Sequence, residues 1–201
     1  MADLSVPLRC ACGQVKGHVE SPHRAGRATC YCHDCQAFAR FLGRLETMLN
    51  ALGGTDIVAT SPRFVRFTAG TDRLQCMSLG PRGLLRWYAG CCRTPIGNTP
   101  RNPKMSYVGL VHNCLAGSPA EKDAAFGPAR LAVNPKSASG RVAATSLPML
   151  LAALKILRNV GGSCLSGTHR QNPFFRPGTD EPIVPPQELT AEQRQALRGA
   201  N

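Results

Sequence analysis

Cys30, Cys32 and Cys35 stand within the six residues CYCHDC, beside His33 and Asp34. Cys30 and Cys32 are two apart, so in an extended segment their sulfurs point to one side. Cys32 and Cys35 form a Cys-x-x-Cys, the spacing of a metal knuckle in which backbone amides face the sulfurs. All three thiolates can therefore converge on one ion. A structural zinc takes four protein ligands, whereas a catalytic zinc takes three and keeps one position open. Three thiolates on a divalent zinc leave a net negative charge, a poor setting for making hydroxide but one that keeps a bound thiolate nucleophilic. The chemistry to expect is sulfur chemistry. Arg40 and Arg44, with a helix start after the triplet, are the expected offset to that charge.

Other readings of the triplet stay open. A remote thiol at Cys76, Cys91 or Cys114 could close the tetrahedron and leave a structural staple. The Cys-x-x-Cys could be a redox pair, or the zinc thiolates could sense oxidants. His33 reads as a solvated or hydrogen-bonded side chain. Cys10 and Cys12 form a second Cys-x-Cys in CACG, and Cys91 and Cys92 lie in CCRTP. Each is expected at a strand-end turn, and together they could hold a second, closed zinc.

The elements around these residues are mostly strands. Residues 5–20 predict two short strands joined at the Cys10–Gly13 turn, residues 53–70 a turn and two strands, and residues 72–92 a hairpin across Gly80 to Gly83. Strand-like MSYVGLVHNCL follows. Phe38, Phe41, Leu42, Leu45, Leu49 and Leu52 recur at helical spacing and predict a helix over 36–52, with the triplet at or just before its start. Residues 117–146 read as a loop-rich excursion. A helix is expected over 146–160, between Ser146 and Gly161-Gly162, and a last one after the capping box Thr190/Gln193, closed by Gly199. Cys76 is a spare thiol whose strand could run opposite the triplet. Trp87 and Tyr88 read as core and sheet packing; Cys164, His169 and residues 172–175 read as structural.

The chain has 201 residues, 43% of them hydrophobic, enough to bury a core without disulfides, so ten cysteines need another explanation. The opening MADLSVPLRC lacks the basic start and apolar core of a secretory signal, and no run of about 18 apolar residues occurs. The expectation is a cytoplasmic chain without a membrane span, whose clustered thiols stay reduced and bind metal or do chemistry. The net charge of +12 comes from 24 Lys and Arg, nineteen of them Arg, against 12 Asp and Glu. Such an excess can attract nucleic acid or small anions, but Arg63, Arg66, Arg73, Arg82 and Arg86 are spread along the chain, so a nucleic-acid partner is not favoured.

The ordered series CACGQVKGHV, CYCHDCQAF and RWYAGCCRTPIGN resembles the glutathione-dependent formaldehyde-activating enzymes and centromere protein V-like domains, over about residues 8–98. The resemblance implies an Mss4-like fold: mainly β, antiparallel sheets around zinc, with a few short helices and here a helical C-terminal extension. One domain is expected, with a zinc-binding β core at 5–115 and an elaboration at 116–201. The resemblance assigns Cys10, Cys12 and Cys92 to a structural zinc and Cys30, Cys32 and Cys35 to a catalytic one. Ala89 stands where the family has another structural cysteine and Arg93 where it has glycine. The fourth structural ligand is therefore open between Cys91, water and a distant side chain, or this zinc is missing; adjacent Cys91 and Cys92 on one ion would need a strained backbone. The activity implied is carbon–sulfur lyase chemistry, joining a small thiol such as glutathione to formaldehyde or reversing that. A non-catalytic zinc module with a basic surface for a protein or nucleic-acid partner is the alternative.

Overall fold

A computed structural model of the chain describes residues 5–142 and 171–198. It is mainly β, with two sheets, short helices and a C-terminal helix. The smaller sheet is antiparallel, in the order β1 (Ser5–Arg9), β2 (Lys16–Glu20), β5 (Val65–Ala69). The larger has eight strands in the order β10-β3-β4-β9-β8-β7-β6-β11. Its antiparallel centre comprises β3 (Gly26–Cys30), β4 (Thr55–Thr60), β6 (Leu74–Ser78), β7 (Leu85–Ala89), β8 (Thr94–Thr99) and β9 (Val108–Val111). At the edges β10 (Leu131–Val133) and β11 (Gln187–Glu188) add in parallel. The hairpin across Gly80 to Gly83 forms as expected.

Alternation divides the eight-stranded sheet into two faces, because directly paired residues share a side and neighbours along a strand do not. One face carries Val58, Leu110 and Trp87, buried against Val6, Leu8, Val19 and Val65 of the small sheet. Trp87 is fully buried and packs against Phe174, the rings tilted with centroids 5.2 Å apart, so Phe174 and Phe175 help close this core. The other face carries Met77, Arg86, Asn98, Gly109, Ile57 and Cys30 and looks toward α1 (His33–Leu42). Tyr88 packs edge-on against Phe38 and Phe41 of that helix.

The helix expected over 36–52 is two helices. α1 stops at Gly43, whose φ of 64° needs no Cβ, and the Gly43 and Arg44 amides return to Arg40 and Ala39 carbonyls. α2 (Leu45–Met48) is one turn. Asn50 then accepts the amides of Leu52 and Gly54 at 2.9 Å each, a side-chain turn that outcompetes further helix and lets Leu49 bridge Thr55. Of the excursion expected over 117–146, the described residues, to 142, carry more regular structure than their pattern implied. α3 (Pro119–Phe126) starts from a complete Ser118/Glu121 capping box and buries only Phe126, so its apolar periodicity is faint. Asp123 of α3 and Asp56 of β4 pair with buried Arg27, fixing the helix to the sheet. The box at Thr190 and Gln193 forms, opening α4 (Ala191–Arg198). The helix expected at 146–160, Gly199, Cys164 and His169 lie outside the described residues. No helix among the described residues is long and apolar enough to cross a membrane.

Candidate metal centres

Cys30 ends β3, and Cys32 is the N-cap of α1, with φ −63° and ψ 146°. Its sulfur accepts the Cys35 amide at 3.4 Å, the role an oxygen usually plays at a helix start. Strand end and helix start thus meet at one point, and the three sulfurs gather within 4.8 Å of one another, Cys30 and Cys32 at 3.4 Å. Cys30 and Cys35 are buried; Cys32 is half-buried and opens on a cleft of about 450 Å³ lined also by His33, Asp34, Asn134, Ser137 and Arg198. A larger cleft of about 750 Å³ adjoins it through His33 and Ser137 but holds no cysteine.

Among the three thiols the negative charge is favoured on one sulfur. Hydrogen bonds from Cys30 and Cys35, then the Cys35 amide and Arg86, hold the Cys32 thiol down at about 2. Sharing with Cys32 pushes Cys30 up, and the same sharing with both neighbours, with burial, pushes Cys35 well up. The cation that meets this charge is Arg86, not the expected pair. Its side chain is 3% exposed, lies 3.9 Å from Cys35 Sγ, donates to Asn98 Oδ1 at 3.1 Å and sits over the Phe38 ring. Arg40 instead donates to the Leu197 carbonyl and Arg44 to the Cys92 carbonyl. Asp34 lies 3.9 Å from Nη2 of Arg86 and also pairs with Arg198, bringing α4 to the rim. Arg86 carried a sequence signal that went unused: a charge amid the apolar strand residues Leu85, Trp87 and Tyr88.

No remote thiol closes this triplet among the described residues. Cys114 is fully buried and donates to the Ile96 and Val111 carbonyls. Cys76 pairs with Trp87 and so faces the core between the sheets, the opposite side from the triplet; its neighbour Met77 is the one toward α1. Burial pushes both spare thiols up to about 12. All nine described cysteines are free.

The second group joins two distant turns. Cys10 lies 3.5 Å from Cys12 and 3.9 Å from Cys91, Cys12 lies 3.3 Å from Cys91, and Cys91 lies 3.9 Å from Cys92. The Val15 amide donates to Cys10 Sγ at 3.2 Å, and the Ala11 amide to Thr94 Oγ1 at 3.0 Å, tying one turn to the other. Burial and its thiol neighbours hold Cys91 up at about 12, whereas hydrogen bonding to Thr94 and the Cys12 amide outweighs burial and brings Cys92 down to about 6. Cys91 thus joins the cluster as the fourth sulfur while Ala89 is buried in the core. The backbone cost expected of adjacent cysteines falls one residue later: Arg93 has φ 56°, with its amide on the Ala89 carbonyl at 2.7 Å. Its side chain donates to the Phe41 carbonyl, bracing this turn against α1.

The fold and its sulfur clusters define a mainly β protein with two sites that could hold metal ions, one of four thiols and one of three. The chain belongs to the family of unknown function DUF6151, whose model matches residues 1–184. No curated protein matches the chain.

Proposed function

We propose that the protein is a zinc-dependent enzyme of carbon–sulfur lyase type, joining a small thiol of the glutathione kind to formaldehyde or a related carbonyl, or running the reverse. The observation that carries this reading is that one cluster has four sulfurs and the other three. A tetrahedral zinc with sulfur at about 2.3 Å requires sulfurs about 3.8 Å apart, and the separations of 3.3–3.9 Å, with amides donating to Cys10 and Cys32, fit that ion. Cys10, Cys12, Cys91 and Cys92 would hold a closed, structural zinc; Cys30, Cys32 and Cys35 would hold one with a position to spare beside the cleft. Bound there, zinc supplies a site that keeps a substrate thiol deprotonated near neutral pH.

The chain's own groups do the rest. Arg86 offsets the negative charge of the three sulfurs, so a further thiolate can approach. The cleft beside Cys32 admits the thiol, while Asn134, Ser137 and Arg198 offer donors to its remainder. Orientation of sulfur toward a carbonyl carbon is the catalytic contribution this geometry can make. Elemental analysis should find two zinc ions per chain, one in Cys32→Ser and one in Cys92→Ser. Exchange NMR with glutathione and formaldehyde should show faster hemithioacetal formation with the wild-type chain, lost in Cys32→Ser. Two zinc ions with no acceleration for any small thiol would leave a non-catalytic zinc module as the reading.

A further inference from the structure

Two of the sulfurs in the four-sulfur cluster face solvent. Cys12 and Cys91 are exposed, whereas Cys10 is buried and Cys92 half-buried. The exposed sulfurs lie 3.3 Å apart, nearer to each other than either is to Cys10. The other two are engaged: Cys10 Sγ takes the Val15 amide at 3.2 Å, and Cys92 Sγ lies 3.1 Å from Thr94 Oγ1. Cys12 and Cys91 stand on turns 79 residues apart, so no shared backbone restrains a bond between them, as it would for adjacent Cys91 and Cys92. A disulfide needs the two sulfurs to close from 3.3 Å to about 2 Å, a small movement for side chains on turns.

The turns are also held together by groups other than sulfur. The Ala11 amide donates to Thr94 Oγ1 at 3.0 Å, Arg44 donates to the Cys92 carbonyl at 2.7 Å, and the Arg93 side chain donates to the Phe41 carbonyl. Loss of an ion from the cluster therefore leaves Cys91 opposite Cys12. The three-sulfur centre is arranged the other way: Cys30 and Cys35 are buried, and only half-buried Cys32 meets the cleft. Oxidation of a cysteine follows its thiolate character and its exposure. Sulfurs bound to a metal are all thiolates, so exposure decides between the two centres. A small oxidant in solvent meets Cys12 and Cys91 first.

We propose that Cys12 and Cys91 are a peroxide-sensitive pair whose disulfide replaces a bound ion as the tie between the two turns. The link needs only the geometry of the turns; release of an ion rests on the reading of this cluster as a closed zinc site. One exposed thiolate attacks hydrogen peroxide, the O–O bond breaks, and hydroxide leaves a sulfenic acid behind. The second thiolate attacks that sulfur, the S–S bond forms, and a second hydroxide leaves. Two solvent protons turn both hydroxides into water, so two thiolates are oxidised and one peroxide is reduced. Cys10 and Cys92 then remain, short of the four ligands a structural zinc takes.

The test uses Cys32→Ser, in which the remaining zinc is the one at the four-sulfur cluster. Stoichiometric hydrogen peroxide should release that zinc to a chromophoric chelator, one ion per chain, and dithiothreitol with zinc should restore it. Trypsin cuts after Arg9, Lys16, Arg86 and Arg93, so the link should join residues 10–16 to residues 87–93, and fragmentation should place it on Cys12 and Cys91. The linked, zinc-free chain should melt above the reduced, zinc-free chain. In the wild-type chain at the same dose, Cys30, Cys32 and Cys35 should stay open to alkylation. A link through Cys10 or Cys92, zinc release without a link, equal melting of the two zinc-free chains, or earlier oxidation of the three-sulfur centre overturns the proposal. A Cys32→Ser chain that forms the link but carries no zinc at the outset supports the pair and overturns the zinc reading of this cluster instead.

Discussion

Replacing Arg86 with Met removes the charge nearest the three sulfurs while keeping most of the side chain's volume. The guanidinium is 3% exposed and 3.9 Å from Cys35 Sγ, so water screens it poorly. At that distance two unit charges interact by about 4 kcal/mol with an effective dielectric of about 20. Spreading the negative charge over three sulfurs and a metal lengthens the mean separation, so half of that, about 2 kcal/mol, is a reasonable floor. Those limits correspond to a loss of zinc affinity between about 30-fold and about 1,000-fold at the three-sulfur centre. Asp34, left facing the site without Arg86, moves the result toward the larger figure. Competition titration against a chromophoric chelator measures both sites in one experiment, and the four-sulfur cluster is the internal control for folding. Arg86→Lys should lose much less. Wild-type affinity at both centres in Arg86→Met would refute the claim that this charge balances the thiolates.

Two further outcomes test the scaffold. Gly17→Ala puts a Cβ 2.1 Å from the Arg66 carbonyl oxygen, a backbone atom that cannot swing away, and should cost about 2–3 kcal/mol of unfolding free energy in a denaturant titration. His112 is held below its ordinary 6.5, chiefly by burial, so the unfolded chain takes up its proton first as pH falls. Stability from this group is therefore full above 6.5 and declines below it; His112→Gln should flatten that acid-side fall in melting temperature, and an unchanged slope would contradict the assignment.

Cys30, Cys32 and Cys35 could be read as one site because their convergence depends on local rules alone. A strand places alternate side chains together, a helix start turns the third toward them, and Cys32 satisfies the amide left free at that start. Gly43 and the Ser118/Glu121 box were equally local signals, but apolar periodicity across Gly43 masked the first and a nearly polar helix masked the second. Thr190 and Gln193 show the opposite case, where a box in an otherwise plain stretch sufficed.

Sequence alone determined the sulfur spacing, the hairpin between β6 and β7, and the mainly β character. Tertiary structure decided which distant groups share a face: Cys91 over Ala89 as the fourth sulfur of one cluster, Arg86 beside the other, and Cys76 turned into the core. The reason is the two-residue period of a strand. A shift of one position in register exchanges the faces, and register is set by the pairing of strands far apart in the chain.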